Sequence, residues 1–201
     1  MAKRPIVLSG KIKDQISDLL LTSPKMDTED VYNMINTSPS LVGVKKSLKD
    51  YSNFDGYTQS KIYLKGDVTS KNLFQKGIFK IIKVKLKNAK LSEPVLLTSG
   101  EFTVDPDRFF TKGLHVVAFG AKAFFSGSVT GLKVGREEEM VQNLLFNVYD
   151  FDVKNMKVVI NSDAVNPDVK QALNYYNYNS GKMDVKINLL PKKQIVTMYF
   201  K

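Results

Sequence analysis

The chain has 201 residues, 43% hydrophobic and 25% charged, with a formal net charge of +10. That is enough sequence for one substantial core and too apolar for wholesale disorder. It contains no cysteine, which removes disulfide scaffolds, thiolate zinc sites and cysteine nucleophiles, and a single histidine, His115, is too little for a histidine-based metal cage or a Ser-His-Asp triad.

Among the basic residues only Arg4, Arg108 and Arg136 are arginine. Arginine is the side chain that forks onto guanine edges and phosphates, so its scarcity argues against sequence-specific nucleic-acid readout. Lys3 and Arg4 are followed by Pro5 and only three apolar residues, Ile6 to Leu8, too short for the apolar region of a secretory signal.

The first fifty residues read as a small helical section. Ile12, Ile16, Leu19 and Leu20 recur at helical spacing and predict a helix over about Lys11–Leu21, stopped by Thr22-Ser23-Pro24. A second helix starts at Asp27 as cap, with Glu29 and Asp30 in its first turn and Met26 stapled to Val31. Its apolar face is Val31, Met34 and Ile35, and Thr37-Ser38-Pro39 ends it. Ser40 to Gly56 is mixed and polar and marks the boundary between a helical appendage over 1–50 and a β-rich domain over 57–201.

From about Ser60 the apolar period becomes two. Ile62 and Leu64 lie on one strand, and Gly77 to Lys87 forms the strand with the clearest alternation. Its phase predicts Ile82, Val84 and Leu86 in the core, with Lys83, Lys85 and Lys87 outside. Further strands are predicted over Val95–Val104 and Leu114–Phe119, separated by the Asp105-Pro106-Asp107 turn, and the pattern continues through Ala121–Val134. The weakly polar run Leu114–Val134 is interrupted by Lys122 and Lys133 and punctuated by Gly120, Gly127 and Gly131, which argues against a membrane-spanning helix there, since Lys122 would be buried near the bilayer centre.

Glu137-Glu138-Glu139 opens either a short helix, with Met140, Val141, Leu144 and Leu145 as its face, or a solvated loop. Met156–Ile160 reads as the return strand of a hairpin turned at Lys154-Asn155. Asn166-Pro167-Asp168 starts a short helix near 167–177. Alternation over Met183–Leu189 and the run Ile195–Phe200 give the last two strands. Short strands at this spacing define a mainly β protein, an antiparallel sandwich or barrel-like domain.

No nucleotide-binding glycine fingerprint, hydrolase elbow or zinc-protease motif occurs. The close acid pairs Asp105/Asp107 and Asp150/Asp152 have the chemistry to hold a hard cation or supply acid and base, but also read as turn chemistry and the wet face of a strand. No cofactor and no enzymatic activity are expected. Nine lysines between Lys61 and Lys90 stand against one acid, Asp67. From these, Lys76, Lys80, Lys83, Lys85, Lys87 and Lys90 are the candidate contacts to a partner or to nucleic acid. With Tyr57, Tyr63, Phe74 and Phe79 they resemble the lysine-plus-aromatic surface of single-strand binders, provided that both sets share a face.

An all-β body, a small helical section, no cysteine and a lysine- and asparagine-rich composition together resemble structural virion proteins of tailed bacteriophages with AT-rich genomes: head-tail connector, ring, tail or capsid-decorating subunits. The resemblance covers the whole chain and is carried by no motif. It implies a non-enzymatic subunit of a symmetric assembly, located in the virion after assembly in the host cytoplasm, whose partners are copies of itself and other subunits, with non-specific nucleic-acid contact and no membrane. A single-stranded nucleic-acid-binding protein is the alternative.

Overall fold

Asp14 and Gln15 both sit at positive φ, 50° and 68°, and fold Val7–Lys13 (β1) back onto Ile16–Asp27 (β2) with Lys13 opposite Ile16. Two left-handed residues in a two-residue loop match the twist of paired strands. Phe119 and Gly120, at φ 50° and 70°, make the same kind of turn between Arg108–Ala118 (β6) and Ala121–Thr130 (β7). The computed structural model describes residues 6–69, 72–133, 140–162, 167–175, 177–191 and 193–201.

The remaining strands are Tyr51–Asp67 (β3), Phe74–Asn88 (β4), Val95–Val104 (β5), Val141–Asp152 (β8), Lys182–Leu190 (β9) and Lys193–Phe200 (β10). All ten lie in one sheet in sequence order, and each neighbouring pair is antiparallel. The mainly β, antiparallel class read from the sequence is therefore present, with every strand among the described residues in a single sheet. The α-helices among the described residues are Thr28–Thr37 (α1), Val42–Ser47 (α2), Met156–Asn161 (α3) and Pro167–Asn174 (α4).

Residues directly opposite on neighbouring strands share a face, so the register divides the sheet into an apolar inner face and a polar outer one. On the inner face Phe79, Phe102, Phe109, Phe125 and Phe146 form a row from β4 to β8, with ring centroids 5.1, 5.8, 6.2 and 4.6 Å apart. Phe79–Phe102 and Phe125–Phe146 are directly opposite; the two middle contacts are diagonal. Each such contact adds roughly 0.5–1.5 kcal/mol to plain burial, so the row fastens five strands.

Two sets of helices cover parts of this face. Val31 and Ile35 of α1, Leu41 in the 3-10 turn Pro39–Leu41 and Val44 of α2 pack with Met26 against Ile62, Phe74, Phe79, Val104 and Leu132. Met156 and Ile160 of α3 pack on Ala121, Phe151 and Met183.

The strand pairing corrects several sequence expectations. The helix expected over Lys11–Leu21 is the β1–β2 hairpin, so among the described residues of the first fifty helix is confined to 28–47. The run Leu19-Leu20-Leu21 fits either period, and ladder pairing with β3 decides it. β2 runs on through Pro24, because the register shifts between Ser23 and Met26 and a bulge tolerates a residue without an N–H. β3 begins at Tyr51, earlier than the expected start near Ser60.

Met156–Ile160 is helical where a strand was expected. The Asp152 carboxylate accepts the Lys154 N–H at 2.9 Å and starts a turn, after which Met156 and Ile160, four apart, are both buried. Val141–Leu145 is extended in β8, not the face of a helix. Glu137 to Glu139 and the cap Asn166 lie outside the described residues, while α4 starts at Pro167 as read.

Candidate interaction surfaces

β1 pairs only with β2, and β10 only with β9, among the described residues. Both edges carry the inner face outward. Through successive partners Phe125, Phe146, Ile187 and Val196 are opposite one another, so the aromatic row runs out on β10. There Val196, Met198 and Phe200 are 46%, 41% and 70% exposed, and at the other edge Leu8 and Ile12 are 59% and 62% exposed.

Ile195–Phe200 has high β propensity and no charge, proline or glycine, the composition of a strand that recruits another strand. β1 carries Lys11 and Lys13, the usual brake on edge pairing. Next to β10, Lys201 is held by Asp150 Oδ1 and Asp184 Oδ2, each at 2.9 Å. Asp184 also accepts the Asp150 N–H, with Asp150 in the left-handed region at φ 51°. That backbone hydrogen bond, then Lys201, lowers the Asp184 pKa, and the two carboxylates raise that of Lys201.

The basic strand is β4. Lys76, Lys80, Lys83, Lys85 and Lys87 are all exposed on its outer side, while Val84 and Leu86 are buried. Ile82 departs from the expected phase: Tyr57 faces Lys83 while Thr58 faces Ile81, so Ile82 is the extra residue of a bulge and is exposed. The phase shift puts Phe79 and Ile81 on the inner face before the bulge, and Val84 and Leu86 on that same face after it; a second shift, with Gln75 as the extra residue, brings Phe74 to that face too. Lys90 lies beyond the strand, ion-paired to Asp50 at 2.9 Å, and this contact lowers the Asp50 pKa.

The aromatics divide. Phe74 and Phe79 are buried in the core, on the face opposite the lysines. Tyr63 faces Lys76 and Tyr57 faces Lys83, so the tyrosines share the basic face. Lys25 Nζ stands 4.1 Å over the Tyr57 ring. Lys61 and Lys65, exposed on β3, extend the face beyond the six lysines singled out from sequence; their parity with Tyr63 was the signal.

The acid pairs have structural partners. Asp105 Oδ1 accepts the Asp107 N–H at 2.9 Å, and Asp107 Oδ1 the Lys133 N–H at 3.4 Å. Asp150 and Asp152 take part in the Lys201 and Lys154 contacts above. His115 lies exposed on β6 with its ring edge-on to Phe124 at 5.3 Å. Among the described residues no cluster of three or more metal-binding side chains occurs, and no helix is long and apolar enough to cross a membrane. Comparison with protein-family models, curated proteins and solved structures finds no match to this chain.

Proposed function

We propose that the protein is a non-enzymatic structural subunit of a symmetric assembly, joined to copies of itself through the two edges of its sheet. The observation that carries this reading is the open ten-stranded meander, whose apolar face continues onto the exposed side chains of β1 and β10. An exposed edge of that kind is a template for a further strand. The acid pairs and His115 are engaged in turns, ion pairs and a ring contact, which fits a role made of interfaces. A bacteriophage particle is the setting we favour, on the compositional resemblance.

Native mass spectrometry and light scattering after size exclusion, at moderate salt, test the proposal. A discrete closed oligomer, or incorporation into a particle, is expected. A monodisperse monomer at tens of micromolar that joins no particle sinks it.

A further inference from the structure

The outer face of β3 and β4 is a second surface, distinct from the edges. Seven lysines project from it, at 61, 65, 76, 80, 83, 85 and 87, against Asp55 and Asp67 on the same two strands and Asp18 and Glu101 on the flanking strands, opposite Lys65 and Lys80. Alternate residues of a strand are about 6.7 Å apart, comparable to the step between successive phosphates of an extended single strand. Lys83, Lys85 and Lys87 keep that step, and Lys76 and Lys80 prolong the row.

At the Lys76 end, Tyr63 borders an open depression of about 590 Å3 shared with Lys76, Lys133, Asp105 and Asp107. Both carboxylates there already accept backbone N–H groups, which neutralises part of their repulsion toward an anion. The depression is large enough for a base beside the Tyr63 ring. At Tyr57 the Lys25 ammonium occupies one side of the ring, adding a cation to the row.

We infer that this face binds single-stranded nucleic acid without sequence preference, the phosphates following the β4 lysines and a base stacking on Tyr63. Lysine supplies point charge without base readout, and an aromatic ring accepts any base. The inference stands independently of the assembly through β1 and β10.

The test is fluorescence anisotropy of a labelled 30-mer of thymidylate with the full chain between 50 and 200 mM salt. Five phosphate contacts give a log–log salt slope of about −3.5, or roughly 100-fold weaker binding across that range. Lys83→Gln with Lys85→Gln should bring the slope to about −2. Lys122→Gln with Lys186→Gln, exposed on β7 and β9, should leave it unchanged. Tyr63→Ala should weaken binding about tenfold at constant slope, and Tyr63→Phe should restore it.

Absence of binding at 50 mM salt overturns the inference, as does an equal loss in the β7/β9 control, which would mean diffuse attraction. Displacement of the oligonucleotide by equimolar polyglutamate of equal charge also overturns it and reassigns the face to an acidic protein. Oligomer mass is read on the same samples, so failure here is distinguishable from failure of the edge assembly.

Discussion

Replacing Met198 and Phe200 together by lysine places two charges on the inner side of β10, where Val196, Met198 and Phe200 prolong the apolar face. Fully burying a methionine or phenylalanine side chain stabilises by about 1.5–3 kcal/mol. These two are already 59% and 30% covered within the subunit, the complement of their 41% and 70% exposure. About 1 kcal/mol each therefore remains to be gained at a junction. Losing both should weaken each junction by about 2 kcal/mol, or roughly 30-fold, and desolvating the lysines adds to that.

The assay is sedimentation velocity at several concentrations, with far-ultraviolet circular dichroism as a check on folding. Tyr149→Lys is the matched control, because Tyr149 is an exposed aromatic residue on the outer face of β8 and lies on neither edge. The double variant should shift to smaller species at concentrations where the wild type and the control remain assembled. An unchanged mass distribution would refute the argument that β10 is a junction.

Gly43→Ala should destabilise by about 2–3 kcal/mol and lower the melting temperature. An added Cβ would stand 1.8 Å from the Leu132 carbonyl oxygen, a backbone atom that cannot rotate away. Thr28→Val should raise stability by about 1 kcal/mol in urea titration, because the Thr28 hydroxyl is buried without a hydrogen-bond partner. The Asp184–Lys201 contact should act only within a pH window. Asp184 is shifted down, so its contribution is present above the ordinary carboxylate range and is lost as pH falls through its lowered value. Lys201 is shifted up, so its share is present below the ordinary lysine range and is lost as pH rises through its raised value. Melting curves of Asp184→Asn should therefore lie below wild type at neutral pH, converge with it in strong acid, and draw closer to it in strong base, where the Lys201 share is lost while the Asp150 N–H bond remains.

Met183–Leu189 was legible in sequence because strict alternation puts its apolar residues on a single face, and it lies inside β9. Val95–Val104 has the predicted bounds through its flanking turn residues, not through alternation. Leu19-Leu20-Leu21 and Met156–Ile160 were not legible, because runs without a gap satisfy either period. Pairing with β3 decides the first, and the Asp152 turn the second. The β4 phase was legible on each side of Ile81-Ile82 but not across it, since the bulge there is set by the partner strand. That bulge is why the lysines could be placed outside from sequence while their aromatic companions could not: parity runs from Phe79 to Lys83 in sequence, but not in space. The open edges were not legible at all, because exposure of Phe200 or Leu8 depends on which strands exist to cover them.

The topology also separates the ways in which copies can join. A two-fold junction through β10 alone pairs two Ile195–Phe200 segments and leaves β1 uncovered in every dimer; one through β1 leaves β10. Centred on Thr197, the β10 dimer also sets Lys193 of one copy opposite Lys201 of the other, a like-charge pair that destabilises an antiparallel contact. A head-to-tail junction uses both edges at once. With ten strands in alternating directions, β10 of one copy runs antiparallel to β1 of the next while the inner faces stay on one side. In the register that sets Lys13 opposite Ile195, Lys11 and Lys13 meet the uncharged Ile195–Phe200, and Lys193 stays clear of Lys13. Repeated, this junction closes into a ring if the rotation per subunit permits and otherwise continues as a helix. The basic outer face of β3 and β4 remains free in either product, since the junction consumes edges and inner face only.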